Sequence, residues 1–236
     1  MKSSKQRPTM KNKNLIIYGD SDFAQMLAHY FETDSEYKVV GYCVDKAYQT
    51  QEEIDGLPVV ALETIEDHFS SKNHAIFAAI GYKSVRTHKI LFEKIAKLSY
   101  PIASYISSQA MIDNSCKIGP NCLILPGVIL EPHTTIEANC YINSGAIICH
   151  HSYVKSHTIL AAGSLVGGHC TIGESSLIGF KATVAELLEL GDETLLGACS
   201  LLLDNTKPHT MYVGTPAKAV RTHKEKGIII VPKNLK

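Results

Sequence analysis

The stretch "INSGAIICHHSYVKSHTILAAGSLVGGHCTI", residues 142–172, places a branched aliphatic residue at every sixth position: Ile142, Ile148, Val154, Leu160, Val166 and Ile172. The register runs back through Ile136, Leu130, Ile124, Ile118 and Ile112 to Ile106, and on through Ile178, Val184, Leu190 and Leu196 to Leu202. If such residues filled about one position in four, an unbroken run of this length would arise by chance with a probability on the order of 10⁻¹⁰, so the chain carries a true hexapeptide repeat. Four residues after each of these positions the side chain is small or slim, as at Cys122, Thr134, Ala146, Thr158, Cys170 and Ala182, with Leu188 the departure. One branched and one small inward position per six residues suits a parallel β-helix. Three hexads make one triangular coil, residues 18 apart stack, and each coil rises by about 4.8 Å. Cys116, Cys122, Cys140 and Cys170 all fall at the small inward position, which reads them as compact core residues and not as metal or redox ligands.

At 236 residues the chain is long enough for two domains of ordinary size. Lys plus Arg and Asp plus Glu balance at 23 each, so no net field recruits nucleic acid or an anionic membrane. No apolar run follows the polar, basic opening "MKSSKQRPTMKNKN", and nowhere do about 18 apolar residues run together. A soluble, cytoplasmic protein is expected. With an odd seven cysteines and no C-x-x-C pair, the thiols are expected to be free. The expected organisation is a flexible segment over 1–13, a Rossmann-like α/β domain over 14–104, the β-helix over 105–220 and a C-terminal extension over 221–236.

The first half alternates strand, turn and helix. "KNLIIYGDSDFAQMLAHYFE" reads as a buried strand from Leu15 to Tyr18, a tight turn at Gly19, and a helix with Phe23, Leu27 and Tyr30 or Phe31 on one side. "YKVVGYCVD" gives a second strand ending at Asp45. "HAIFAAIGYKSVRTHKILFEKIAKL" gives a third ending at Gly81, then a helix carrying Val85, Ile90, Phe92 and Ile95. Such alternation predicts a small parallel sheet, whose ligands sit beyond the carboxyl ends of the strands. The turn Gly19-x-Ser21-x-x-Ala24 replaces the glycine that lets backbone approach a pyrophosphate, and Asp20 and Asp22 put negative charge where a phosphate would sit. This argues against a dinucleotide site.

The Leu/Ile-Gly-x-x-small pattern of "IGPNC", "IGESS" and "LGDET" is similar to that of the hexapeptide-repeat acyltransferases. The α/β half preceding it narrows the resemblance to the subfamily of sialic-acid O-acetyltransferases and nucleotide-amino-sugar N-acetyltransferases, over roughly residues 14 to 220. The resemblance implies a left-handed parallel β-helix, a homotrimer, acetyl-CoA as co-substrate with no metal, and a sugar or nucleotide-sugar acceptor for bacterial surface-glycan biosynthesis. "NSGAIICH" matches the subfamily's catalytic stretch, which places His150 as general base. A neutral imidazole there takes the proton of an acceptor amine or hydroxyl as it attacks the thioester, and backbone N–H groups of the coil stabilise the oxyanion. His151 stands where the subfamily commonly has a carboxylate; a histidine supplies no negative charge, which favours an amine acceptor over a hydroxyl unless Glu131, Asp113 or a neighbouring chain reaches the base. By position-wise carry-over, Ile159, Phe180, Ala198, Gly214 and Pro216 border coenzyme A, the last two within "YVGTPAKAV". Ser21, Asp22, Phe23, Asp45, Lys46 and Gly81 line the acceptor pocket, with Phe23 or Tyr82 stacking on a ring. The subfamily's Gly-x-x-Gly-His-Gly turn is absent here, so acceptor contacts differ from its pattern.

Two rivals stand beside this reading. His133, His151 and His169 are 18 apart and stack in one corner, and the γ-carbonic anhydrases hold a metal with histidines of the same β-helix; in-line stacking is nonetheless a poor tetrahedral cage. An inactive sugar- or nucleotide-binding scaffold is the other, suggested by the missing carboxylate. His157 is expected at solvent or an interface, and "GIIIVP" as a short strand on a sheet edge.

Overall fold

The computed structural model describes residues 13–81 and 83–230. Tyr82, the opening segment and the end of the "GIIIVP" stretch lie outside the described residues. Two compact units divide the chain: residues 13–79 with 99–101, and 80–98 with 102–230.

The first unit is a five-stranded sheet in the order β3-β4-β2-β1-β5. Its strands are β1 (Lys13–Tyr18), β2 (Tyr37–Val44), β3 (Glu53–Ile54), β4 (Leu57–Ala61) and β5 (His74–Ala78), with helices α1 (Asp22–Thr33) and α2 (Ile65–His68). All neighbours are parallel except the β3–β4 hairpin. The unbroken apolar run Leu15–Tyr18 is buried throughout, as a parallel strand covered on both faces requires. Gly19 follows at φ +121°, and a β-carbon there would lie 2.7 Å from the Ala79 carbonyl oxygen, so only glycine fits this turn. Helix α1 buries Ala24, Leu27, Ala28 and Phe31, while Phe23 is only half-buried. The β3–β4 hairpin was not read from the sequence; it turns at Asp55-Gly56, both at positive φ, as a two-residue hairpin demands. The third strand ends at Ala78 and not at Gly81.

In the second unit two-residue strands run from β6 (Tyr105–Ile106) to β21 (Leu201–Leu202), followed by the hairpin of β22 (Thr210–Gly214) and β23 (Ala217–Thr222). They lie in three sheets, one per face of a triangular parallel β-helix. From β6 to β16 and at β18 and β19 each strand pairs with the one 18 residues on, as in Ile129↔Ile147↔Leu165 and Tyr141↔Ile159↔Leu177. The aliphatic register forms the core from Ile124 to Leu202, and the small register stacks beside it. Ile106 departs: it is 43% exposed at the start of the first coil. The cysteines are free, with Cys122, Cys140 and Cys170 in the core. Corners are turned by residues at positive φ, among them Asn121, His133, Asn139, His151, His157 and His169. The corner histidines thus hold left-handed backbone positions that few non-glycine residues adopt.

Helix α3 (Val85–Ala96) belongs to this unit. Ser84 caps it by accepting the Thr87 N–H at 3.3 Å. Its buried side is Val85, His88, Phe92 and Ile95, whereas Ile90, expected on that side, is 62% exposed. His88 packs edge-on against Tyr141 at 4.5 Å and Phe92 packs against His157 at 5.7 Å. The helix thereby buries His157, contrary to the expectation of solvent or interface, and its Nδ1 accepts from Asn139 Nδ2 at 3.0 Å. Asn121 Nδ2 donates in turn to Asn139 Oδ1 at 2.8 Å, so a buried polar ladder runs up this corner.

Candidate active site

His150 ends the strand-and-turn "AIICH", one residue before a left-handed corner, so its ring projects from the coil and is exposed. Three neighbours fix it. Its Nδ1 lies 3.2 Å from His151 Nδ1, one of the two carrying the shared hydrogen. Its backbone N–H donates to Glu131 Oε2 at 2.9 Å, so that carboxylate orients the main chain and not the imidazole. Beneath the ring lies Gly168, where a β-carbon would stand 2.9 Å from Cε1 and 3.0 Å from Nε2. The second sequence candidate for a carboxylate partner, Asp113, is held instead by the N–H and hydroxyl of Ser115 at 2.9 and 2.6 Å.

His151 stands in the predicted histidine column: its ring lies 4.7 Å from His133 and stacks on His169 at 4.8 Å, with 12° between planes. Partial desolvation among these rings, then the like charge of His133, His169 and His150, pushes the His151 pKa below the ordinary imidazole value. With His151 neutral, the tautomer in which His150 Nδ1 donates to it presents the His150 Nε2 lone pair to solvent. Nitrogens of His150, His151 and His169 lie within 4.8 Å of one another. Ligands at about 2.0 Å on a tetrahedral ion stand about 3.3 Å apart, a spacing that the His150 and His151 Nδ1 atoms meet at 3.2 Å.

A groove of about 370 Å³ opens on the same unit. Ile159, Phe180 and Ala198, three of the positions assigned to the coenzyme, line it together with Asn143, Leu177 and Leu195. Gly214 and Pro216 are not among its lining residues; they form the turn between β22 and β23, where the Thr215–Pro216 bond is cis. Arg221, Ile229 and Ile230 also form part of its wall, none of which the sequence indicated.

In the first unit Ser21 is the N-cap of α1, with Asp22 and Phe23 in its first turn. Asp45 follows β2 and its Oδ1 accepts the Tyr18 hydroxyl at 2.9 Å. Burial, then that hydrogen bond, drives the Tyr18 pKa far above the ordinary phenol value, so Tyr18 remains a donor and orients the Asp45 carboxylate. Lys46 begins the short helical turn Lys46–Tyr48 and its N–H donates to Glu63 Oε2 at 2.9 Å. These residues cluster at the carboxyl ends of β1 and β2, as predicted for a parallel sheet. Gly81 belongs to the other unit and is exposed.

The GMPPB C-terminal domain profile matches residues 103–225, more than half of the chain. The chain belongs to the GMPPB C-terminal domain family. Upstream of that domain, the PglD N-terminal domain profile matches residues 14–94. Among solved structures, the acetyltransferase domain of PglB from Neisseria gonorrhoeae is 20% identical with a TM-score of 0.78, over 89% of this chain and 100% of that one. PerB from Caulobacter crescentus, solved with CoA and GDP-perosamine, is 20% identical with a TM-score of 0.77, over 88% and 97%. WeeI from Acinetobacter baumannii is 19% identical with a TM-score of 0.56, over 88% and 100%. At such identities the likeness is one of fold: a small parallel-sheet domain ahead of a left-handed parallel β-helix. The resemblance read from the sequence, to hexapeptide-repeat acyltransferases of the nucleotide-amino-sugar group, is borne out. Among the described residues of this GMPPB C-terminal domain protein, no helix is long and apolar enough to cross a membrane.

Proposed function

We propose that the protein is an acetyl-CoA-dependent N-acetyltransferase acting on the amino group of a nucleotide-linked sugar in surface-glycan synthesis, assembled as a homotrimer. His150 is the general base. The observation that carries this reading is the setting of His150: an exposed ring seated on Gly168, with its Nδ1 3.2 Å from that of His151. The groove lined by Ile159, Phe180 and Ala198 takes the coenzyme, and its apolar wall suits a thin pantetheine arm. Ser21, Asp22, Phe23, Asp45 and Lys46 contact the acceptor, with Asp45 accepting hydrogen bonds from hydroxyl or imide groups.

In the reaction the acceptor nitrogen attacks the thioester carbonyl carbon and a C–N bond forms. The proton of that nitrogen passes to His150 Nε2. Collapse of the tetrahedral intermediate breaks the C–S bond, and the coenzyme leaves as a thiol bearing the proton from His150. Because its partner is neutral, His150 is a weaker base than one held by a carboxylate. An amine, partly neutral near pH 7, tolerates this better than a hydroxyl does.

The test is product formation by mass spectrometry with acetyl-CoA and a panel of nucleotide-linked sugars bearing an amine or a hydroxyl at the same carbon. Acetylation of an amino sugar, with its hydroxyl counterpart inert, is the expected result. Exclusive O-acetylation refutes the choice of acceptor, and no acetylation of any member refutes the transferase reading. A metal-bound reading rests on the closeness of His150, His151 and His169; it requires stoichiometric metal in the purified protein.

A further inference from the structure

The chain beyond β23 folds back onto its own β-helix, and it does so through a built attachment. Arg86 of α3 donates to both Glu193 carboxylate oxygens at 2.8 and 3.0 Å and, from the same guanidinium, to the carbonyl oxygens of Lys224 and Glu225 at 2.7 and 2.9 Å. A planar fork that satisfies four acceptors at once is a task for arginine and not lysine. Gly227 lies against the arginine stem: its φ is +65° and a β-carbon would stand 2.7 Å from Arg86 Cδ. The next residues pair with the segment entering α3, the Val85 N–H donating to Ile228 O at 3.1 Å and the Ile230 N–H to Lys83 O at 2.9 Å. Ile228 is buried, while Ile229, 44% exposed, lines the groove wall together with Ile230.

We propose that residues 224–230 dock so as to present Ile229 and Ile230 as a fixed wall of the coenzyme groove, with Ile229 contacting the bound coenzyme and Arg86 acting as the positioning residue that docks the tail. The proposal rests on the transferase reading given above. The opposite wall is the coil itself, at Ile159, Phe180 and Ala198. A ligand as thin as a pantetheine arm, lying on one face of a coil, is half solvated; a second apolar wall removes its other side from water. Affinity then depends on a segment that makes no contact with the reacting carbonyl, so the tail bears on coenzyme binding and not on the chemical step.

The experiment compares the full-length wild type with Ile229→Ala, Ile229→Trp, Arg86→Ala and Arg86→Lys, by calorimetric titration with coenzyme A and by steady-state thiol release. Ile229→Ala is expected to raise the coenzyme Kd and KM by roughly fivefold, with kcat and the acceptor KM unchanged. Ile229→Trp, which fills the groove from a partly exposed position, is expected to abolish coenzyme binding. Arg86→Ala is expected to raise the coenzyme Kd and KM by roughly tenfold with the same split, and Arg86→Lys to recover only part of the loss. If wild type binds the coenzyme and both Ile229 variants bind it equally well, the tail proposal is overturned while the transferase reading stands. If wild type neither binds coenzyme A nor releases thiol, both fall together. A matched rise in the acceptor KM, or a fall in kcat alone, also overturns the tail's assignment to the coenzyme.

Discussion

Gly168→Ala tests the seating of His150 with a single methyl group. The backbone at 168 lies outside the left-handed region, so alanine itself is not strained there. Its β-carbon would stand 2.9, 3.0 and 3.3 Å from His150 Cε1, Nε2 and Nδ1. Ordinary contact begins at 3.4 Å, so the ring must retreat by about 0.5 Å, and the exposed side chain is free to do so. A 1 Å misplacement of a catalytic group costs on the order of 10²-fold, so about half that displacement predicts a fall in kcat of about tenfold. The acceptor and coenzyme KM stay put. Loss of glycine's freedom in the unfolded chain offsets the crowding, so global stability changes by less than about 1 kcal/mol. The assay is thiol release by Gly168→Ala, His150→Ala and the double variant, with denaturant unfolding of each. Because the methyl acts through the ring, Gly168→Ala should add nothing once His150 is gone. Full activity in Gly168→Ala, or independent losses that multiply in the double variant, would show that Gly168 does not seat the His150 ring.

Other consequences follow from the same geometry. Burial, opposed only in part by the Asn139 carbonyl that accepts its Nε2–H, pushes His88 down to about 4 from the ordinary 6.5. Between those values the unfolded chain takes the proton first, so stability is full above about pH 6.5 and falls as pH drops towards 4. At pH 5 the loss is about 2 kcal/mol relative to pH 8; urea unfolding at the two pH values should show it, and His88→Gln should remove about that much of the difference. His151→Asp restores a carboxylate beside the base and should move the acid limb of the kcat/KM profile to higher pH, whereas an unmoved limb would deny the Nδ1 pairing any role. Asn139→Ala breaks the Asn121–Asn139–His157 ladder and places alanine at φ +57°, a loss of about 2–4 kcal/mol by chemical denaturation.

The coil was legible because its period ties each residue to a fixed face: once the aliphatic register is found, Leu160 must face inward and His150 outward, and they do. Stacking at 18 also placed His151 between His133 and His169. The same rule could have found Gly168, which is 18 residues after His150, had it been applied to the base itself. The small sheet was less legible, since Leu57–Ala61 is short and the Asp55-Gly56 turn was its only clear signal. Ile90, His157 and Ile229 escaped for another reason. Their exposure is decided by how α3 and the tail dock on the coil, a tertiary event that no local period encodes.

Whether His150 Nε2 takes the acceptor's proton is decided by the rate of thiol release from acetyl-CoA in His150→Ala against wild type, with an amino-sugar nucleotide that wild type acetylates. The expected result is a fall in kcat of roughly 10² to 10⁴, with coenzyme binding intact by calorimetry. A variant that turns over at the wild-type rate would contradict it.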